Sequence, residues 1–151
     1  EGLLELERHG IFVPKVQIST ALRATGGGDT AARLAAFADN TYLHQVRLRG
    51  ADGTRRCFPD LTAETLAAVA AEERGEVRVH VHVPLYFEAS GSLRSTGTDL
   101  SPRFFEVLGS SGIPHLEIET YTFSVLPPAL SALPIEESVE KEYQWVHERM
   151  R

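Results

Sequence analysis

Three segments of the chain alternate polar and apolar residues with a period of two, as a β-strand does when its two faces meet different surroundings. In residues 13–19, VPKVQIS, the residues Lys15, Gln17 and Ser19 fall on one side and Val16 and Ile18 on the other. Residues 77–84, VRVHVHVP, set Arg78, His80 and His82 against Val77, Val79, Val81 and Val83. Residues 115–122, HLEIETYT, set His115, Glu117, Glu119 and Tyr121 against Leu116, Ile118 and Thr120. Stretches at helical spacing separate these strands. GLLELERHG closes on Gly10 as a C-cap, and DTAARLAAFADN opens on Asp29 as a candidate N-cap with Leu34 and Phe37 on one side. LTAETLAAVAAEERG offers Thr62 as cap, Leu66 and Val69 as a stripe and Gly75 as stop. DLSPRFFEVLGSSG places Ser101 before Pro102, a favoured helix start. IEESVEKEYQWVHERM carries Val139, Tyr143 and Val146 at helical spacing, with acids early and arginines late.

Strands alternating with helices predict an α/β fold built from βα units around a parallel sheet. The stretch from Thr20 to Pro59 is too long for a simple loop and reads as an excursion with its own helix and a hairpin. In that hairpin TYLHQVRLR and TRRCF are joined through Ala51-Asp52-Gly53, where Asp-Gly is a strong turn signal.

A parallel strand covered by helices on both sides is usually apolar throughout, and these three are not. A closed barrel reconciles the two observations, because its helices cover the outside while functional groups gather at the C-terminal strand ends. Gln17, His82 and Glu119 each lie near such an end. The alternative is an antiparallel or mixed sheet whose polar face is solvated. The residue types bear on the choice: His80, His82, Glu117 and Glu119 are groups that bind metals or transfer protons.

Composition narrows the class. The 151 residues suit one domain, and 15 Lys+Arg against 21 Asp+Glu give a net charge of -6, with no basic run to favour a nucleic acid. No apolar run approaches the length that spans a bilayer, and the acidic start resembles neither a signal nor a transit peptide, so the chain reads as cytoplasmic without membrane insertion. Cys57 is the only cysteine, which excludes a disulfide within the chain and predicts a small buried residue. The only Met is Met150, so the sequence reads as a piece that starts inside a longer chain.

VPKVQISTALR, YLHQV, RVHVHVPLYFEASGSLRSTGTDL and HLEIETYTFSVLP together resemble the C-terminal part of the EboE-type metabolite traffic proteins. Those belong to the xylose-isomerase-like superfamily of sugar phosphate isomerases and epimerases. The resemblance implies the last three βα units of a (β/α)8 TIM barrel over residues 1–151, with the excursion at about 20–59 inserted. It implies a divalent metal, Mg, Mn or Zn, at the barrel mouth, with Gln17 and Glu119 matching two of its ligands. The remaining Glu and Asp would lie in an N-terminal part of the barrel upstream of Glu1, so this chain alone would bind metal weakly or not at all. Arg23 resembles a substrate-holding basic residue, His82 is a candidate acid-base group, and His44 in the excursion is a second candidate for substrate binding.

Each residue has a plainer reading. Gln17 can satisfy neighbouring backbone, Glu117 can pair with Lys15 or Arg78, Arg23 can be an exposed flanking charge, and His44 a hairpin side chain. The partner implied is a small-molecule metabolite, either carried and processed in EboE-type traffic or turned over by a metal-dependent isomerase or epimerase. Open strand edges further predict marginal stability or self-association of the isolated chain.

Overall fold

The computed structural model describes residues 1–119 and 133–151, and within them the chain is a mixed α/β protein with two sheets. Helix α1 (Gly2–Arg8) precedes strand β1 (Lys15–Ile18), and past Ser19 the backbone runs on as β2 (Thr20–Thr25). Helix α2 (Gly28–Leu34) with a 3-10 turn over Ala35–Phe37 comes next, then the hairpin β3 (Val46–Arg49) and β4 (Arg55–Phe58). Helix α3 (Ala63–Ala71) leads into the long strand β5 (Glu76–Val83). A short hairpin, β6 (Ala89–Ser90) and β7 (Leu93–Ser95), passes through a 3-10 turn over Gly97–Asp99 to α4 (Pro102–Ser110), β8 (His115–Ile118) and the last helix α5 (Ile135–Arg149).

Local chemistry sets several boundaries where the residue types place them. Ser101 accepts the Phe104 N–H at 3.3 Å and Pro102 opens α4; Thr62 accepts the Thr65 N–H at 3.3 Å to start α3. The β3–β4 turn has Asp52 accepting the Thr54 N–H at 2.8 Å and Gly53 at φ +84, a conformation that suits glycine. The cap of α2 is Gly27 and not Asp29, whose carboxylate instead takes the Arg33 guanidinium at 2.8 Å within the helix.

Sheet direction departs from the expected parallel array. Only β1 and β8 pair parallel, with Gln17 opposite Glu117 and Ile18 opposite Ile118. The other six strands lie in the order β4-β3-β5-β2-β7-β6, antiparallel throughout. The VRVHVHVP strand is therefore not a third parallel strand. After Ser19 the chain prolongs its strand direction as β2, and β5 returns against it; an antiparallel strand with one solvated face shows the same alternation as a barrel strand. The excursion accordingly runs from Thr20 to about Leu100, well beyond Pro59. Among the described residues two parallel strands stand where three were expected, and no closed barrel forms.

What remains is one βαβ unit, β1–α4–β8, with a six-stranded sheet inserted between its first strand and its helix. The inserted sheet closes its own core on α2 and α3 through Leu22, Leu34, Phe37, Val46, Val79 and Val81. The parallel pair packs Val16, Ile18 and Ile118 against Leu3 of α1, Phe104 and Leu108 of α4, and Trp145 and Val146 of α5. Helix α5 is also held by polar bonds: the buried Glu142 accepts the Leu85 N–H at 3.0 Å, and the Ser138 and Tyr86 hydroxyls meet at 2.5 Å. Cys57 lies exposed on β4, against the expectation that it is buried, because it stands opposite Arg47 on the solvated face of the sheet. No helix among the described residues is long and apolar enough to cross a membrane.

Candidate functional site

The two sheets meet where β5 is irregular. Thr20 pairs with Val83 and Leu22 with Val79, so Ala21 alone on β2 faces His80, Val81 and His82 on β5. Two extra residues on one strand form a bulge, a device that re-aims side chains. Strict alternation would leave both histidines on the solvated face. They do share a face, because Val79, Val81 and Val83 all enter the core on the other side; His80 is exposed and its N–H bonds the Gln45 carbonyl at 2.9 Å, while His82 is covered to 6% exposure.

His82 then faces the end of the parallel pair. Its Nε2 lies 2.9 Å from Nε2 of His80, and its Nδ1 lies 3.9 Å from the Glu119 carboxylate. Glu119 is fixed at that end by its own N–H bonding the Ile18 carbonyl at 3.1 Å. Burial pushes the His82 imidazole below its ordinary range; the Glu119 charge pulls the other way, and His80 adds to the lowering. The net direction is down, which favours the neutral imidazole. Three groups thus form a line, His80, His82 and Glu119, with the two histidines in hydrogen-bond range and the carboxylate in ion-pair range of His82.

His44 stands behind this line, just before β3, at 1% exposure. Its backbone N–H bonds Asp60 at 2.8 Å, yet neither ring nitrogen has a hydrogen-bond partner among the described residues. Its charge state bears on His82, and it also acts on Asp39. A buried polar group without a partner costs about 1–3 kcal/mol.

The other expected site residues lie apart from the line. Gln17 is exposed on the polar face of β1, one pleat below the level of Glu119, and bonds Glu117. Lys15 takes Glu117 at 2.6 Å and holds its carboxyl below the ordinary carboxylate range, the ion pair anticipated for Lys15. Arg23 sits on β2 beside Arg78, donating to Thr98 at 2.8 Å and Asp99 at 3.4 Å. Thus His82 and Glu119 come together, whereas Gln17, Arg23 and His44 do not join them. No three His, Cys, Asp or Glu side chains among the described residues converge as a metal-holding group. His80 is the member of the line that was noted for its residue type but not chosen as a site residue, and nothing in Thr20-Ala21-Leu22 signals the bulge opposite it.

The geometry defines a mixed α/β protein with a polar junction between two sheets. Comparison with known proteins found no matching family model, no matching curated protein and no matching solved structure.

Proposed function

We propose that the chain forms part of the mouth of a TIM barrel of the xylose-isomerase-like type, and that it serves EboE-type metabolite traffic by binding a small polyhydroxylated metabolite there. The observation that carries this reading is the His80–His82–Glu119 line at the C-terminal end of the parallel pair. The wall arrangement supports it. α1, α4 and α5 cover the apolar face of β1 and β8, while Lys15, Gln17, His115 and Glu117 stand exposed on the other face, as on the inside of a barrel. Two parallel strands alone make a poor sheet, which favours further strands from the rest of a longer chain.

A divalent ion, Mg, Mn or Zn, belongs to this reading only with donors from such a longer chain. Glu119 and His82 offer an oxygen and a nitrogen of suitable type, and a bound ion would polarise a substrate carbonyl. The chain's own residues bind hydroxyls and move a proton. Neutral His82 accepts one from a ligand hydroxyl while Glu119 steadies the resulting imidazolium.

The second reading, an active isomerase or epimerase, is favoured by the same neutral imidazole beside a carboxylate. A base there takes the proton from the hydroxyl-bearing carbon next to a carbonyl, and the electron pair moves onto the carbonyl oxygen as an enediolate. Return of the proton to the neighbouring carbon, with the hydroxyl proton passing to the other oxygen, completes an isomerisation, and return to the opposite face of the same carbon an epimerisation.

Both readings are tested by following the histidine ring signals in NMR while D-xylulose is added, with and without MnCl2 and MgCl2. At about 10 mM sugar, above the usual range of substrate affinities, the His80 and His82 signals shift, and Glu119→Gln removes the shift. Unmoved signals, or equal shifts in Glu119→Gln, would overturn the binding reading. Exchange of a carbon-bound proton for deuterium in D2O adds turnover, and its absence leaves binding only.

A further inference from the structure

The solvated face of the six-stranded sheet carries arginines in two cross-strand rows. In the first, Arg47 of β3 is opposite Arg78 of β5, Arg78 is opposite Arg23 of β2, and Arg23 is opposite Arg94 of β7. In the second, Arg55 of β4 is opposite Arg49, and Arg49 is opposite Glu76. Like charges placed directly across a sheet destabilise it. The compensation is thin. Glu76 takes Arg49 at 3.1 Å and Arg78 at 2.7 Å, and Asp99 takes Arg78 at 2.8 Å and Arg23 at 3.4 Å. Those two carboxylates serve six arginines on a chain whose net charge is -6. Arg47, Arg55 and Arg94 make no ion pair among the described residues, and neither does Arg74, which precedes β5.

The rows border a concave site. A cleft of about 670 Å³ opens there, lined by Arg23, Arg49, Arg74 and Arg94 with Thr25, Ser92 and one carboxylate, Glu76, which is already paired with Arg49 and Arg78. That volume falls in the range of small-molecule sites. Arg23 and Arg94 stand on adjacent strands, whose backbones lie about 5 Å apart, and several guanidinium groups around one cleft suit two linked anionic groups more than one.

We propose that this cleft binds a small ligand carrying two neighbouring phosphate-type anions, such as a diphosphate, through the Arg23, Arg49, Arg74 and Arg94 guanidinium groups. The site is separate from the His82–Glu119 line, since Arg78 lies four residues from His82 on β5 and the cleft opens beyond it. A single-stranded nucleic acid fits less well. Its readers stack bases on aromatic side chains, and the face residues of β2, β3, β4, β5 and β7 include no Phe, Tyr or Trp.

Calorimetric titration of the chain with inorganic pyrophosphate tests the proposal, with inorganic phosphate, citrate and a single-stranded oligonucleotide alongside. Pyrophosphate binds at least about tenfold more tightly than phosphate, as two charge-assisted contacts exceed one. Arg74→Ala and Arg94→Ala each weaken it about tenfold, and Arg94→Lys keeps the charge but loses part of the affinity with the fork. Arg56→Ala, on the opposite side of β4 and facing Glu72 at 3.8 Å, leaves it unchanged. Thermal unfolding of each variant distinguishes lost folding from lost binding. Citrate binding with the same arginine dependence supports the cleft and names carboxylates as its anion source. Pyrophosphate binding no tighter than phosphate, or indifferent to both alanine variants, would overturn the proposal. So would an oligonucleotide that outcompetes pyrophosphate and is released steeply by salt.

Discussion

Around the antiparallel sheet the core is closed, and around β1 and β8 it is open. Leu22, Leu34, Val46, Val69, Val81 and Val83 are all fully buried between that sheet and its helices. In the parallel half Ile18, Leu85, Phe105, Val107 and Leu108 are buried, but on the strands Val16 and Ile118 are half covered and Leu116 is 42% exposed. The contrast follows from strand number. Six antiparallel strands with helices on one side satisfy both faces, one apolar and one polar, whereas two parallel strands leave their pairing edges and polar face to whatever lies beyond them. The half that is least complete is also the half that ends in Glu119, and the closed half delivers His82 to it.

The largest test of this contrast is truncation of one apolar strand residue in each half. Leu22→Ala should lower the urea unfolding free energy by about 3–5 kcal/mol, as deletion in a closed core does. Val16→Ala, half buried in the open half, should cost about 1 kcal/mol or less. Equal losses would break the comparison. Next in size is Glu142→Ala, which strips the Leu85 N–H of its buried acceptor and should cost about 1–3 kcal/mol in the same assay. If α5 docks through apolar contact alone, that variant is neutral.

A smaller effect comes from His82. Its folded imidazole is held below the ordinary value of 6.5, so between the two values the unfolded chain binds a proton that the folded chain does not. Stability from this group is full above 6.5 and falls as the pH drops toward the folded value. Unfolding midpoints measured from pH 7.5 down to pH 5 should therefore slope less in His82→Gln than in the parent, with His80, His44 and Glu119 as the other titrating neighbours.

How much of this was legible in the sequence depended on the range of the interactions. Short-range chemistry was readable: Asp52-Gly53 marked the hairpin, Ser101-Pro102 and Thr62 marked helix starts, and the Lys15–Glu117 pair was foreseen. The direction of β5 was not, since alternation is identical for a barrel strand and a half-solvated antiparallel one. Nor was the bulge at Ala21, which carries no glycine or turn residue to announce it. The arginine rows escaped for a third reason. Arg23, Arg47, Arg49, Arg55, Arg78 and Arg94 are scattered singly along an acidic chain, and only long-range register makes them neighbours. Of the site, Glu119 was expected as a metal ligand beside Gln17 and His82 as a separate acid-base group, and the meeting of His82 with Glu119 is a product of tertiary structure.

That meeting is most directly tested by titrating the His82 ring in NMR, in the parent and in Glu119→Gln. The account predicts a His82 pKa below 6.5 that falls further when the Glu119 charge is removed. An ordinary value, or one indifferent to Glu119→Gln, would contradict it and dissolve the junction between the two halves.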